Sequence, residues 1–409
     1  MHAIGGVVYV RAKATGQQLS EYVTSPKGTA RVPAVVDLGE SEEHWYAFVA
    51  AAGGRLSKLD LATPLPATLP LAVGDGHPQV RQIQRSSCPL EDTFIAEPIV
   101  QRRADSNAGF TPGKDIVMVA TALGCGDTTG NQVLAFDAAD ITQPPLWVFN
   151  SGEFEIGRIH SCLLDLAHNR LVCGAENPSG SLQYGVFSID TNDGSLVWGS
   201  DYGANVHARV AFGTPGGPGA DHIYVGDQSG HVRSFDAADG TLRGDAYIRP
   251  ATYHDPWAID FDLVAAAGDF SGIVLAIGGG GVMTAVYDEG TDFIELWQAT
   301  ADDAVTAPIV ISELAKAYVG LKDGRFSQFD LATGSDDANS PIGSLGTVPY
   351  YGGMALSAYV NADGGWRVVG TYDYLLPNSQ YALTRQYRVP CVPATRCQFY
   401  DVIFRDDFE

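Results

Sequence analysis

One short pattern recurs along this chain and constrains its fold more than any other feature. A strand of small or β-branched residues leads into a tight turn and then an alternating strand that ends in Asp. A second turn, of the form A-x-D/T-G, follows. The clearest copies are "IYVGDQSGHVRSFDAADGTLRG" (223–244) and "YVGLKDGRFSQFDLATG" (318–334). Others are "WYAFVAAAGGRLSKLDLATP" (45–64), "QVLAFDAADITQPPLWVF" (132–149), "YGVFSIDTNDGSLVWGS" (184–200) and "GVMTAVYDEGTDFIELWQA" (281–299). Their closing aspartates are Asp60, Asp137, Asp190, Asp236, Asp288 and Asp330, at steps of 77, 53, 46, 52 and 42 residues. Apart from the first, these steps match a four-stranded structural repeat.

A second element precedes several copies: "RVPAVV" (31–36), "AEPIV" (96–100), "HARVAF" (207–212) and "TAPIVI" (306–311). Small and β-branched residues with Pro suit an inner strand, where blades crowd together near the axis. Adding "DIVMVAT", "HIYVGD" or "KAYVGL" and two later strands makes each unit a four-stranded antiparallel meander. The expected fold is therefore all-β, a single β-propeller, with eight blades favoured and seven as the alternative count. Seven units are complete, at about 31–64, 95–150, 157–200, 205–246, 257–299, 305–335 and 350–390. Residues 5–24 match the last two strands of a unit and are expected to help close the ring, because an open sheet edge invites aggregation. The propeller is expected to span 1–390, with an insertion at about 65–115. A disulfide loop, a strand and an acidic tail would follow over 391–409.

Composition agrees with many short strands. The chain of 409 residues has 47 Gly and 22 Pro, and only 18% of its residues are charged. Its formal net charge of −23 repels phosphate backbones and anionic lipid, so a nucleic-acid partner or electrostatic membrane docking is not expected. No apolar run is long enough to span a bilayer, and the opening "MHAIGGVVYV" lacks a signal-peptide pattern. That start is expected to be a mature or truncated chain entering directly into a strand. The six cysteines show no CxxC spacing, which favours disulfides over zinc or haem. Cys162 and Cys173 flank a short turn, Cys391 and Cys397 can close a small loop, and Cys88 and Cys125 remain to pair with each other. Buried free thiols are the alternative. Disulfides imply a secreted, periplasmic or cell-surface location.

The repeated Asp stands where its carboxylate can accept amide hydrogens from the following turn. Gly16, Gly194, Gly240 and Gly334 can supply the positive φ of that reversal. Trp147, Trp198 and Trp297 fall in the next strand, where an indole can wedge between blades. The copies at 236 and 330 lack this Trp. "YVGDQSGHVRSFDAADGTL", "YVGLKDGRFSQFDLATG" and "FSIDTNDGSLVW" resemble repeats of the pyrroloquinoline-quinone-like propeller superfamily. Residues 115–245 are most similar to the C-terminal propeller of the type IV pilus tip factor. The resemblance implies the propeller fold and admits quinoprotein dehydrogenases, envelope assembly proteins and pilus factors. The tail "VIFRDDFE" is similar to a short ending found on some secreted bacterial proteins, with Asp in place of its Gly.

No catalytic constellation stands out. A quinoprotein needs an aromatic floor, an Arg, Ca²⁺ ligands and a carboxylate base. Here the Trp residues fall mostly at blade positions. "GCGDTTGNQ" (124–132), "DTNDG" (190–194) and "GSDDANS" (334–340) lack the alternating oxygens of a Ca²⁺ loop and read as acidic turns. The nine His residues show no HxH or HExxH spacing, although His160, His207 and His254 could line a funnel. GxSxG is absent, and "AIGGGGV" (276–282) has no Lys-Ser/Thr after it. The expected function is therefore a non-catalytic platform that binds a protein or glycan partner, associated with a pilus or the bacterial envelope, or with adhesion. A quinone-dependent oxidoreductase is the alternative and a glycan- or polymer-binding propeller the third reading. No cofactor is expected, with Ca²⁺ or the quinone as lesser possibilities.

Overall fold

A computed structural model describes residues 2–4, 7–11, 18–23, 33–38, 45–51, 54–61, 79–83, 94, 96–122, 131–150, 154–176, 184–200, 206, 210–215, 221–248, 263–266, 272–278, 281–301, 304, 306–321, 325–336, 354–360, 364–376, 379–389 and 399–402. These residues form eight antiparallel sheets, six of four strands and two of three. They hold no α-helix, only short 3₁₀ turns such as Arg103–Asp105. No helix among them is long and apolar enough to cross a membrane.

The chain divides into two compact units, Met1–Val206 and His207–Glu409. The first begins with a three-stranded sheet, β1 (His2–Ile4), β2 (Val7–Arg11) and β3 (Gln18–Val23). Three four-stranded sheets follow. They are β4 (Ala34–Asp37) to β7 (Gln79–Gln82), β8 (Ile99–Gln101) to β11 (Trp147–Phe149), and β12 (Ile159–Asp165) to β15 (Leu196–Ser200). The stretch from 65 to 115 thus contains β7 and β8.

The second unit holds β16 (Ala211–Gly213) to β19 (Leu242–Tyr247) and β20 (Leu263–Ala266) to β23 (Phe293–Thr300). Next comes the three-stranded β24 (Ile309–Ile311), β25 (Lys316–Gly320) and β26 (Phe326–Asp330), where a single bridge from Phe329 to Asp336 stands beside the third strand. The last sheet runs from β27 (Met354–Val360) to β30 (Phe399–Val402), so the strand in "CQFYDVIF" is its fourth member.

The second strands β9 (Ile116–Ala120) and β17 (His222–Gly226) are nearly continuous apolar runs, both fully buried. Strands covered on both faces need no polar alternation. The core is correspondingly a series of clusters between consecutive sheets. One joins Met118, Val133, Trp147 and Phe149 to Leu171 and Phe187, with the two Phe rings stacked at 5.2 Å. In the second unit another joins Tyr224 and Val232 to Val274 and Val286.

Four of the outer strands share a device that composition does not reveal. In β15 two residues oppose one, because Ser188 faces Trp198 and Ile189 faces Leu196, leaving Val197 as the extra residue. Leu296 in β23 and Arg243 in β19 are extra in the same way, and Leu19 is extra in β3. Such bulges bend and twist an edge strand, which re-aims its side chains and discourages pairing with another chain. The bulge in β3 also marks the first sheet as a repeat without its opening strand.

Candidate functional site

The repeated aspartates close the third strand of each unit, at the ends of β6 (Arg55–Asp60), β10 (Val133–Asp137), β14 (Val186–Asp190), β18 (His231–Asp236), β22 (Val282–Asp288) and β26. In five of them Oδ1 accepts the amide hydrogen two residues on. The donors are Ala139, Asn192, Ala238, Gly290 and Ala332, at 2.7–3.1 Å. In four of these five the second oxygen takes a cation or an imidazole. Lys114 reaches Asp137 at 2.6 Å, Arg243 reaches Asp236 at 2.7 Å and Lys316 reaches Asp330 at 3.3 Å. Those four carboxylates are occupied on both oxygens.

The turn beyond the Asp is where one sheet grips the next. Trp147 donates from Nε1 to the Thr191 carbonyl at 3.0 Å, and its ring lies over Gly194. Trp297 repeats this on the Leu331 carbonyl, also at 3.0 Å, with its ring over Gly334. Both glycines have positive φ, and each amide donates back to its Asp carbonyl. Trp198 is buried at the corresponding place in β15. Where β6 and β7 meet the 138–143 turn, cations replace the indole. Lys58 Nζ donates to the Ala139 carbonyl at 2.9 Å and Arg81 to the Thr142 carbonyl at 2.8 Å.

In β19 the register position opposite Ser234, filled by Trp in β15, belongs to Gly244, and Phe293 from β23 lies against it. This seam contains a buried polar pair. His222 Nδ1 lies 2.6 Å from Asp288 Oδ2, with the two residues 2% and 0% exposed. Burial alone would raise the Asp288 carboxyl. The hydrogen bond to His222, the Gly290 amide and the His222 charge outweigh it and hold Asp288 below the usual carboxylate range. Burial first, and Asp288 second, push the neighbouring Tyr224 phenol well upward.

A separate polar group lies on β18 and β19, where register pairs His231 with Tyr247 and Arg233 with Asp245. Asp245 Oδ1 lies 2.5 Å from His231 Nδ1, and Oδ2 accepts from Arg233 Nε at 3.3 Å. Arg233 Nη1 forms an ion pair with the buried Asp227. Asp227 also accepts from the Ser229 amide at 2.8 Å and from the Ser229 hydroxyl. Tyr247 is 53% exposed, and its ring meets His231 edge-on at 5.1 Å.

Cys162 and Cys173 stand opposite each other in β12 and β13 (Arg170–Ala175), are joined by a disulfide, and have Cα atoms 4.1 Å apart. Cys88, Cys125, Cys391 and Cys397 lie outside the described residues, as do Gly16, His207 and His254. His160 lies 2.7 Å from Glu176. Among the described residues no three His, Cys, Asp or Glu side chains gather as a metal site. A calcium–quinone pair needs open carboxylate oxygens. The buried Asp227, Asp236 and Asp288 already hold an arginine or histidine together with turn amides, so these residues do not fit that group.

The Asp-turn repeat defines the class. Residues 5–337 match the family described as outer membrane protein assembly factor BamB, and the chain belongs to that family. No curated protein sequence matches. Among solved structures the chain is similar to BamB from Moraxella catarrhalis, at 14% identity, with a TM-score of 0.50 over 88% of this chain and 96% of that one. It is also similar to quinohemoprotein alcohol dehydrogenase from Comamonas testosteroni, at 14% identity, TM-score 0.56, and 91% and 70% coverage. Sqt1 from Saccharomyces cerevisiae gives 11% identity, TM-score 0.60, and 90% and 88% coverage. The fold is all-β and of propeller type.

Proposed function

We propose that the chain is a non-catalytic binding or assembly platform of the cell envelope that engages a protein partner. The observation that carries this reading is where the chemistry of the repeats goes. The five Asp-turn carboxylates with described turns accept amides of those turns, and the Trp and Lys side chains grip neighbouring turns. Repeat groups occupied in this way support a rigid surface as their role. Membership of a family described as an outer membrane assembly factor supports an envelope setting. The eight sheets then serve as eight blades, the last of them completed by β30 from the 391–409 segment. Secretion, a place in a pilus and adhesion are narrower forms of the same proposal, and a glycan is the alternative partner.

Chemical cross-linking of the tagged chain in its own cells tests this reading. One discrete envelope protein should be captured in constant ratio. Release of the chain alone, together with dye reduction after incubation with the quinone and Ca²⁺, would favour the oxidoreductase instead.

A further inference from the structure

We propose that the β18–β19 face bearing His231, Arg233, Asp245 and Tyr247 binds an arginine-bearing extended segment of a protein partner. This assignment rests on the platform reading above and names the partner chemistry of one of its surfaces. The exposed groups are held in place from beneath. Asp227, 0% exposed, anchors Arg233, Arg233 and His231 fix the two oxygens of Asp245, and His231 packs edge-on against Tyr247. Side chains locked in this way lose little freedom when a ligand arrives.

Their charges select the ligand. Asp227 and Asp245 outnumber Arg233 within the cluster, and residues 221–248 carry five Asp against two Arg. A planar guanidinium can stack on the open Tyr247 ring and donate to the outer lone pairs of Asp245, whose side chain is 38% exposed. Lys lacks both the plane and the fork and gains less. The net charge of −23 steers such a segment toward the whole chain, and the patch gives it a place to dock.

The test uses the full chain and a fluorescent peptide of alternating Gly and Arg, with citrulline and Lys versions and a neutral linear oligosaccharide as controls. Fluorescence anisotropy should show salt-sensitive binding of the Arg peptide, weaker binding of the Lys peptide, and none of the citrulline peptide. Tyr247→Ala should weaken binding about threefold to fivefold, and Tyr247→Phe should retain it. Tyr247→Lys keeps a long apolar stem at this exposed site, so the fold should persist by circular dichroism while binding is lost. Absence of Arg-peptide binding would overturn the assignment, as would binding indifferent to Tyr247→Lys. Equal binding of citrulline or the oligosaccharide would also overturn it. The platform reading fails separately, if cross-linking in cells captures no envelope protein.

Discussion

Gly194 and Gly334 each meet two demands that no other residue satisfies together. Each has positive φ, and each lies beneath an indole with no room for a methyl group. A Cβ on Gly194 would stand 2.6 Å from Trp147 Cε3. Gly194→Ala and Gly334→Ala are therefore predicted to cost about 2–4 kcal/mol, combining overpacking with left-handed strain. Gly364→Ala shares the positive φ but meets nothing within 4 Å, so about 1–2 kcal/mol is expected. Urea denaturation midpoints check the ranking, and equal losses at all three sites would contradict the indole contact. The Trp, Gly and Asp were individually legible in the sequence. Their partnership was not, because the Trp of one repeat serves the turn of the next, and a repeat read by itself conceals that.

At the scale of the element, the seam between the β16–β19 and β20–β23 sheets lacks the indole, has Phe293 against Gly244, and holds the buried pair of His222 and Asp288. Removing one partner leaves the other buried without compensation, so His222→Ala is predicted to cost about 3–5 kcal/mol. The folded carboxyl of Asp288 is depressed relative to the unfolded one. Its contribution is thus present above the unfolded carboxylate pKa of about 4 and is lost as pH falls through the lower folded value. The stability gap between the native chain and Asp288→Asn should be widest at pH above about 4 and should narrow in stronger acid. A gap that does not change with pH would contradict this account.

The Cys162–Cys173 staple closes a short loop, and replacing both residues with Ser is predicted to cost about 3 kcal/mol in the same urea assay. That pairing is the one that the short turn between the two cysteines predicts, and the strand register shows why they meet. The bulges at Val197, Arg243 and Leu296 left no sequence signal, since an extra residue in an exposed strand looks like any other. Gly244 did leave one, as a gap in the Trp pattern. The polar pair that accompanies it becomes visible only when two sheets are placed side by side.

At the scale of the whole molecule, the sequence discloses the architecture because a repeated unit states its rules many times. Function is stated once, in surface groups that no periodicity marks. The cluster of His231, Arg233, Asp245 and Tyr247 lies inside the best-preserved copy of the repeat, and its residues looked like ordinary strand filling until their register was known. The two units are alike in construction. Each contains a fully buried second strand, Asp-capped turns and a bulged outer strand.

The central claim is that this scaffold holds a partner and performs no redox reaction. It is tested most directly by purifying the tagged chain from its own cells after cross-linking and identifying what remains attached. The account predicts one envelope protein in fixed proportion, joined through a segment that bears arginine. A chain recovered alone with stoichiometric quinone, and able to reduce a dye, would contradict it.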